Sequence, residues 1–239
     1  MKHVLLGALL AITAALPAAA QEPCRQALAL GLDVSGSVDA REYRLQLDGL
    51  ATALDSAAVR ASLLERTETP VELMVFEWSG PKDQMTLVPW TRITDGTRIE
   101  TILEQLRMTQ RRVEATPGTA LGVAMMQGAR HLAERGHCWR KTLDLSGDGK
   151  SNLGPRPRSV KPALAAQGLT INALVIGADD PSSGDARQAE IAELSAYFRA
   201  EVITGPDAFV ETALGFEDYA RAMERKLLRE LDGLVLSSR

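Results

Sequence analysis

Apolar positions along this chain fall into two alternating rhythms. Residues 27–34 form a nearly continuous apolar run that ends at the carboxylate of Asp33, the pattern of a strand buried on both sides of a parallel sheet. Residues 39–59 then carry Tyr43, Leu47, Leu50 and Leu54 at helical spacing. Val71–Trp78 reads as a second strand and residues 85–90 as a third, joined by a connection so short that the two form an antiparallel hairpin. Helical spacing returns over 95–108 (Ile99, Ile102, Leu103, Leu106) and over 119–135, a short strand over 141–146, and a helix over 159–167 that stops at Gly168. Thr170–Ile176 gives the fifth strand, 185–199 a helix, 201–204 a sixth short strand, and 207–231 a long closing helix that Gly215 can break. This alternation predicts an α/β fold: a doubly wound, mostly parallel six-stranded sheet with one antiparallel edge strand and helices on both faces, Rossmann-like in layout.

The first twenty residues stand outside that pattern. Met1-Lys2-His3 is a short basic start, residues 4–16 are apolar and uncharged, and Pro17-Ala18-Ala19-Ala20 supplies small residues where a signal peptidase cuts. The apolar run is shorter than the ~20 residues of a spanning helix, which favours a cleaved signal peptide at 1–20 over a retained anchor. The expectation is one domain over 21–239 in a periplasmic or secreted protein, with no stable membrane insertion after cleavage.

Composition narrows the partners. The 27 basic and 31 acidic side chains leave a net charge of −4, and aromatics are 4% of the chain. A broad basic field and stacking platforms for nucleic acid are both missing. Two cysteines are too few for a disulfide scaffold or a four-thiolate zinc site.

The chemistry concentrates in Asp33-Val34-Ser35-Gly36-Ser37, at the end of the first strand. Oxygen side chains at alternate positions converge when the backbone turns, and Gly36 permits the turn. A carboxylate and two hydroxyls suit a hard cation but fall short of its coordination number. Thr119, opening a helix, and Asp148, following the fourth strand, can complete the set if the first and fourth strands flank the point where strand order reverses. Asp-x-Ser-x-Ser alone is common in turns and helix caps. Asp39 with Glu42 fits a capping box. Gly149-Lys150-Ser151 imitates a phosphate loop, but Asp144 stands where its first glycine belongs. Asp144 itself lies ~13 Å along its strand from Asp148, too far to share a metal, and a buried hydrogen-bonding role is expected.

This set resembles the metal-ion-dependent adhesion site of von Willebrand factor type A domains, with Asp33, Ser35, Ser37, Thr119 and Asp148 at its five positions. Stretches 32–39, 88–93 and 145–149 are most similar to a secreted bacterial group of unknown function within that family. The resemblance spans the mature chain and departs at Leu121, where many such domains carry a second threonine. It implies that the three hydroxyls touch Mg2+ (or Mn2+ or Ca2+), that the two aspartates act largely through bound water, and that an Asp or Glu carboxylate of an unknown protein partner completes the shell.

The alternative is a metal-dependent, phosphoesterase-like hydrolase using the same site. Such an enzyme wants more converging carboxylates; the acidic loop 178–181 could supply them, although a solvated turn is the simpler reading. A serine triad needs a nearby histidine, and His131 and His137 both fall away from the metal end. The rim is expected from loops 79–84, 109–116, 151–158, 178–184 and 205–206, with Arg111, Arg112, Arg156 and Arg158 available to attract an acidic ligand or simply to aid solubility. Finally, Cys24 precedes Asp33 by nine positions and Cys138 precedes Asp148 by ten. If the first and fourth strands are parallel neighbours, the cysteines meet at the opposite end, and a Cys24–Cys138 disulfide is predicted, the alternative being two free thiols.

Overall fold

The alternating side chains of the first strand explain the layering. Leu28, Leu30 and Leu32 point to one side and Ala27 and Ala29 to the other, and all are buried. The computed structural model describes residues 22–112, 116–177 and 184–232. Its six strands are β1 (Cys24–Asp33), β2 (Val71–Trp78), β3 (Gln84–Arg92), β4 (Cys138–Gly147), β5 (Thr170–Ile176) and β6 (Val210–Ala213). They form one sheet in the order β3-β2-β1-β4-β5-β6, in which only the β2–β3 pair is antiparallel. The strand order therefore reverses between β1 and β4, where the sequence places the candidate residues.

One face is covered by α1 (Ala40–Asp55), α2 (Ala57–Leu64), α3 (Gly96–Met108) and α7 (Tyr219–Asp232), packed on Leu28, Leu30, Leu32, Leu73 and Val75. The other is covered by α4 (Leu121–Ala133), α5 (Pro157–Ala165) and α6 (Gly184–Glu201), packed on Ala27, Ala29, Met74, Leu143, Leu145 and Ala173. Among the described residues no helix is long and apolar enough to cross a membrane. The fold is of the von Willebrand factor A type.

β4 has a two-sided character. Leu143 and Leu145 join the α4 side, whereas Thr142, Asp144 and Ser146 face the α7 side, buried yet polar. Each has a partner there: Gln26 Nε2 donates to Thr142 Oγ1 (3.0 Å), Lys226 Nζ lies 2.6 Å from Asp144 Oδ1, and the Ser146 and Tyr219 hydroxyls are 3.0 Å apart. Lys226 also bonds Glu230 (2.7 Å), and Asn172 on β5 donates to the same carboxylate (2.7 Å). The buried role expected of Asp144 is thus an ion pair with α7.

Three expectations are corrected. The helix expected over 39–59 is two helices, because Ser56 takes an extended conformation (ψ 143°) that ends α1, and its hydroxyl accepts from Val59 N–H to cap α2. The predicted capping box at the start of α1 is present, with Asp39 and Glu42 bonding each other's backbone N–H. The sixth strand is not 201–204, where Glu201 closes α6 and Thr204 makes only an antiparallel bridge to Ile171. It is Val210–Ala213, drawn parallel to β5 as Asn172 Oδ1 accepts from Phe209 N–H (3.1 Å) and Ala173 N–H donates to the Phe209 carbonyl (3.1 Å). The closing helix accordingly starts at Tyr219, after a 3-10 turn at Phe216–Asp218.

At the amino-terminal end of the sheet, Cys24 pairs with Cys138 in register and forms the predicted disulfide. It closes a separation of 114 residues, a loop for which a chain-entropy estimate gives up to ~4.7 kcal/mol.

Candidate metal centre

The β1–β4 register carries the site. One residue beyond the Leu32–Ser146 pair, Asp33 ends β1 beside Gly147, and Asp148 follows directly. Past Asp33 the chain turns as Ser35 N–H donates to Asp33 Oδ1 (2.9 Å). Gly36 N–H donates to the Pro117 carbonyl (2.9 Å), and a Cβ at 36 would stand 2.6 Å from Pro117 Cβ, so only glycine allows this approach. That contact seats the loop carrying Thr119 against the loop carrying Ser35 and Ser37. Thr119 is held further by Asn152, whose Oδ1 accepts from Thr119 N–H (2.8 Å), while the Thr119 carbonyl accepts from Ser151 Oγ (3.2 Å). Ser37 Oγ donates to Asp148 Oδ1 (2.9 Å) and lies 3.3 Å from Ser35 Oγ.

Three loops therefore converge, bringing the Asp33 and Asp148 carboxylates together with the Ser35 and Ser37 hydroxyls. Asp33 is 1% exposed, and its Oδ2 has no hydrogen-bond partner among the described residues. Burial, and then the neighbouring Asp148, push the Asp33 carboxyl up to about 8. Burial also raises Asp148, against the lowering effect of the Ser37 hydrogen bond. Two carboxylates held close in a low-dielectric pocket are unfavourable without a positive charge between them. A divalent cation on the unpartnered Asp33 oxygen would supply it, and hydroxyl and carboxylate oxygens are the donors that hard cations accept.

The floor beneath is hydrogen-bonded. Gln46 Nε2 donates to the Asp33 carbonyl (2.9 Å). Buried Glu77 accepts from Tyr43 (3.1 Å) and from Arg112 Nε (2.8 Å). Of the four rim arginines, Arg112 is thus committed to Glu77. Arg158 pairs with Glu201, the last residue of α6 (3.7 Å). Arg111 is half-buried, and Arg156 is exposed at the start of α5. Loop 178–181 lies outside the described residues. Segment 205–206 is not on this rim: Gly205 lies against Leu169 and Thr170, at the opposite end of β5, a consequence of the displaced sixth strand. His137 bonds Glu72 (3.0 Å) and His131 faces Gln127 (3.0 Å), both away from Asp33.

Two residues escape the sequence reading. Asn152 positions Thr119, and no motif announces it. Lys226 neutralises Asp144, and its signal was available: it falls, with Glu230, on the Met223–Leu227–Leu231 stripe that α7 buries.

A family profile described as "Protein of unknown function (DUF1194)" matches residues 23–235. No curated protein matches the chain in sequence. Among solved structures, proximal thread matrix protein 1 from the mussel byssus, with a zinc-occupied MIDAS motif, is 19% identical with a TM-score of 0.58, over 88% of this chain and 48% of that one. The pilus adhesin SpaC from Lactobacillus rhamnosus GG is 15% identical with a TM-score of 0.57, over 90% and 31%. An aerotolerance-related membrane protein from Bacteroides fragilis is 13% identical with a TM-score of 0.51, over 85% and 98%. The chain spans less than half the length of the mussel and pilus proteins. At these identities the likeness is one of fold.

Proposed function

The chain belongs to the family described as protein of unknown function (DUF1194), and on that premise we propose that it is a metal-dependent, adhesion-type protein-binding module and not an enzyme. The observation that carries the reading is the buried, unpartnered Asp33 oxygen beside Asp148, with three hydroxyl-bearing residues gathered by the surrounding loops. In this reading Ser35, Ser37 and Thr119 offer hydroxyl oxygens to Mg2+, or to Mn2+ or Ca2+, and Asp33 and Asp148 hold its water shell. The bound cation supplies an electrophile that a partner's Asp or Glu carboxylate can ligate. The chain's own part is to keep ligand charge low, to fix Thr119 through Asn152, and to hold Asp33 in place through Gln46.

The zinc-occupied motif of the mussel protein supports a cation at the corresponding end of this fold. The placement of both mature histidines away from Asp33 supports binding over acid–base chemistry. Residues 1–20 are proposed to direct export to the periplasm or beyond, with the domain over 21–239. The disulfide fits an oxidising compartment.

The test is capture of partners from an envelope extract with and without chelator, comparing wild type with Asp33→Ala and Thr119→Ala. Capture that needs Mg2+ and is lost in both variants is expected. Chelator-insensitive capture, unchanged in both, rejects the proposal; phosphoester turnover that requires Asp148 replaces it with the hydrolase.

A further inference from the structure

The disulfide end of the sheet holds more chemistry than a cross-link needs. Cys24 opens β1 and Cys138 opens β4, and both are buried. Glu72 on β2 and His137, just before β4, lie against them, so that one ligand atom from each of the four residues falls within 4.8 Å of every other. Glu72 is 4% exposed and accepts from Arg92 (3.3 Å), Arg135 (3.3 Å) and the His137 ring (3.0 Å). The other His137 nitrogen, Nδ1, is buried and has no hydrogen-bond partner among the described residues. A structural disulfide calls for neither a buried carboxylate nor an imidazole with an idle lone pair.

We propose that these four residues form a second metal site, which exists only when the disulfide is reduced: a Cys24–Cys138–His137–Glu72 set for Zn2+ or a similar borderline cation. Two sulfurs, a ring nitrogen and a carboxylate oxygen are the donors of tetrahedral zinc. With zinc bonds of ~2.0–2.3 Å, ligand atoms sit roughly 3.3–3.8 Å apart, so the cluster needs only to contract while the sulfurs part. In the balanced steps, a dithiol gives two electrons and two protons to the Cys24–Cys138 bond and itself becomes a disulfide. Both thiols then lose their protons as the cation binds. Two thiolates plus a divalent cation carry no net charge, as the disulfide carries none. Arg92 and Arg135, which pair with Glu72, therefore keep the same local charge balance in either state. The metal would replace one β1–β4 cross-link with another at the same position, so the domain stays tied through loss of its disulfide.

The site is independent of the Asp33 centre, and the two are separated by working in Asp33→Ala protein. That protein is reduced with a phosphine and titrated with Co2+. The expected result is thiolate-to-cobalt charge transfer in the near ultraviolet, saturating at equimolar metal, with none in the oxidised protein. Circular dichroism followed in parallel should show Zn2+ returning the thermal midpoint of the reduced protein toward that of the oxidised one. His137→Gln, which still forms its disulfide, is expected to weaken cobalt binding by at least ~10-fold. A reduced protein without the band, whether folded or unfolded, overturns the proposal. So does a band that persists in denaturant or is undiminished by His137→Gln.

Discussion

Two groups of carboxylates, Asp144 with Glu230 and Asp33 with Asp148, lie beside β4, and they differ in one respect. Asp144 and Glu230 share Lys226, whose ammonium lies within 2.7 Å of each. Asp33 and Asp148 accept hydrogen bonds from backbone and a serine hydroxyl, and among the described residues one Asp33 oxygen has no partner. Burial alone would lower Lys226, but Asp144 and Glu230 outweigh it and hold the lysine charged. Asp144, raised by burial and eased by that lysine, settles at about 7, and Asp33 at about 8. The first group carries its cation covalently, as part of α7, and serves to dock that helix. The second has no such built-in cation, and it is there that the proposed metal would sit.

The contrast can be broken most forcefully at Lys226. Lys226→Met strips the cation from two buried carboxylates and is expected to cost about 3–5 kcal/mol in urea unfolding; a loss under 1 kcal/mol would show that Lys226 is not what balances them. At the other group the cation is added instead. Mg2+ at ~100 times its dissociation constant should stabilise the wild type by about 2.7 kcal/mol, and Asp33→Asn should lose that gain without becoming less stable when metal-free. A metal-induced shift retained by Asp33→Asn would place the cation elsewhere.

Titration sharpens the comparison. Asp33 and Asp144 are raised above the ~3.9 of an unfolded aspartate, so each favours the fold while protonated, and that stability is lost as pH rises through the folded value. Metal-free protein should therefore lose stability between about pH 4 and 8, with up to ~1.4 kcal/mol per pH unit for each proton involved. Saturating Mg2+ should flatten the Asp33 share and leave that of Asp144. Denaturation at several pH values with and without Mg2+ reads both, and equal slopes in the two series would dissolve the distinction. Arg112→Ala, which leaves buried Glu77 with Tyr43 as its one side-chain donor among the described residues, should cost about 1–3 kcal/mol, whereas exposed Arg156→Ala should stay within ~0.5 kcal/mol. Equal effects of those two would mean that Arg112 is as free as Arg156.

The same two groups show what a sequence discloses. The meeting of Asp33 with Asp148 was legible because both fall at strand ends, which a periodic pattern locates to within a residue. The cysteine pairing followed from the same reasoning about register. Lys226 was legible only in part: its place on the Met223–Leu227–Leu231 stripe puts it on the buried face of α7, but a lysine in a helix is ordinarily solvated and only the strand facing it reveals its partner. The sixth strand failed for a related reason. Residues 201–204 have the β-branched composition of a strand, while Val210–Ala213 shares its apolar spacing with a helix. The choice was made by Asn172 on a neighbouring strand, a tertiary hydrogen bond that no local window contains.

The β1–β4 pairing has a mechanical consequence. If the proposed partner contact at the Asp33 end were pulled and the pull resisted at the start of β1, the force would run lengthwise along that strand. Its parallel hydrogen bonds to β2 and β4 are then loaded in shear and share the force, instead of opening one after another like a zip. At the far end the Cys24–Cys138 bond passes part of the tension into β4. The covalent clasp thus sits at the tail of the load-bearing strand, where peeling would otherwise begin.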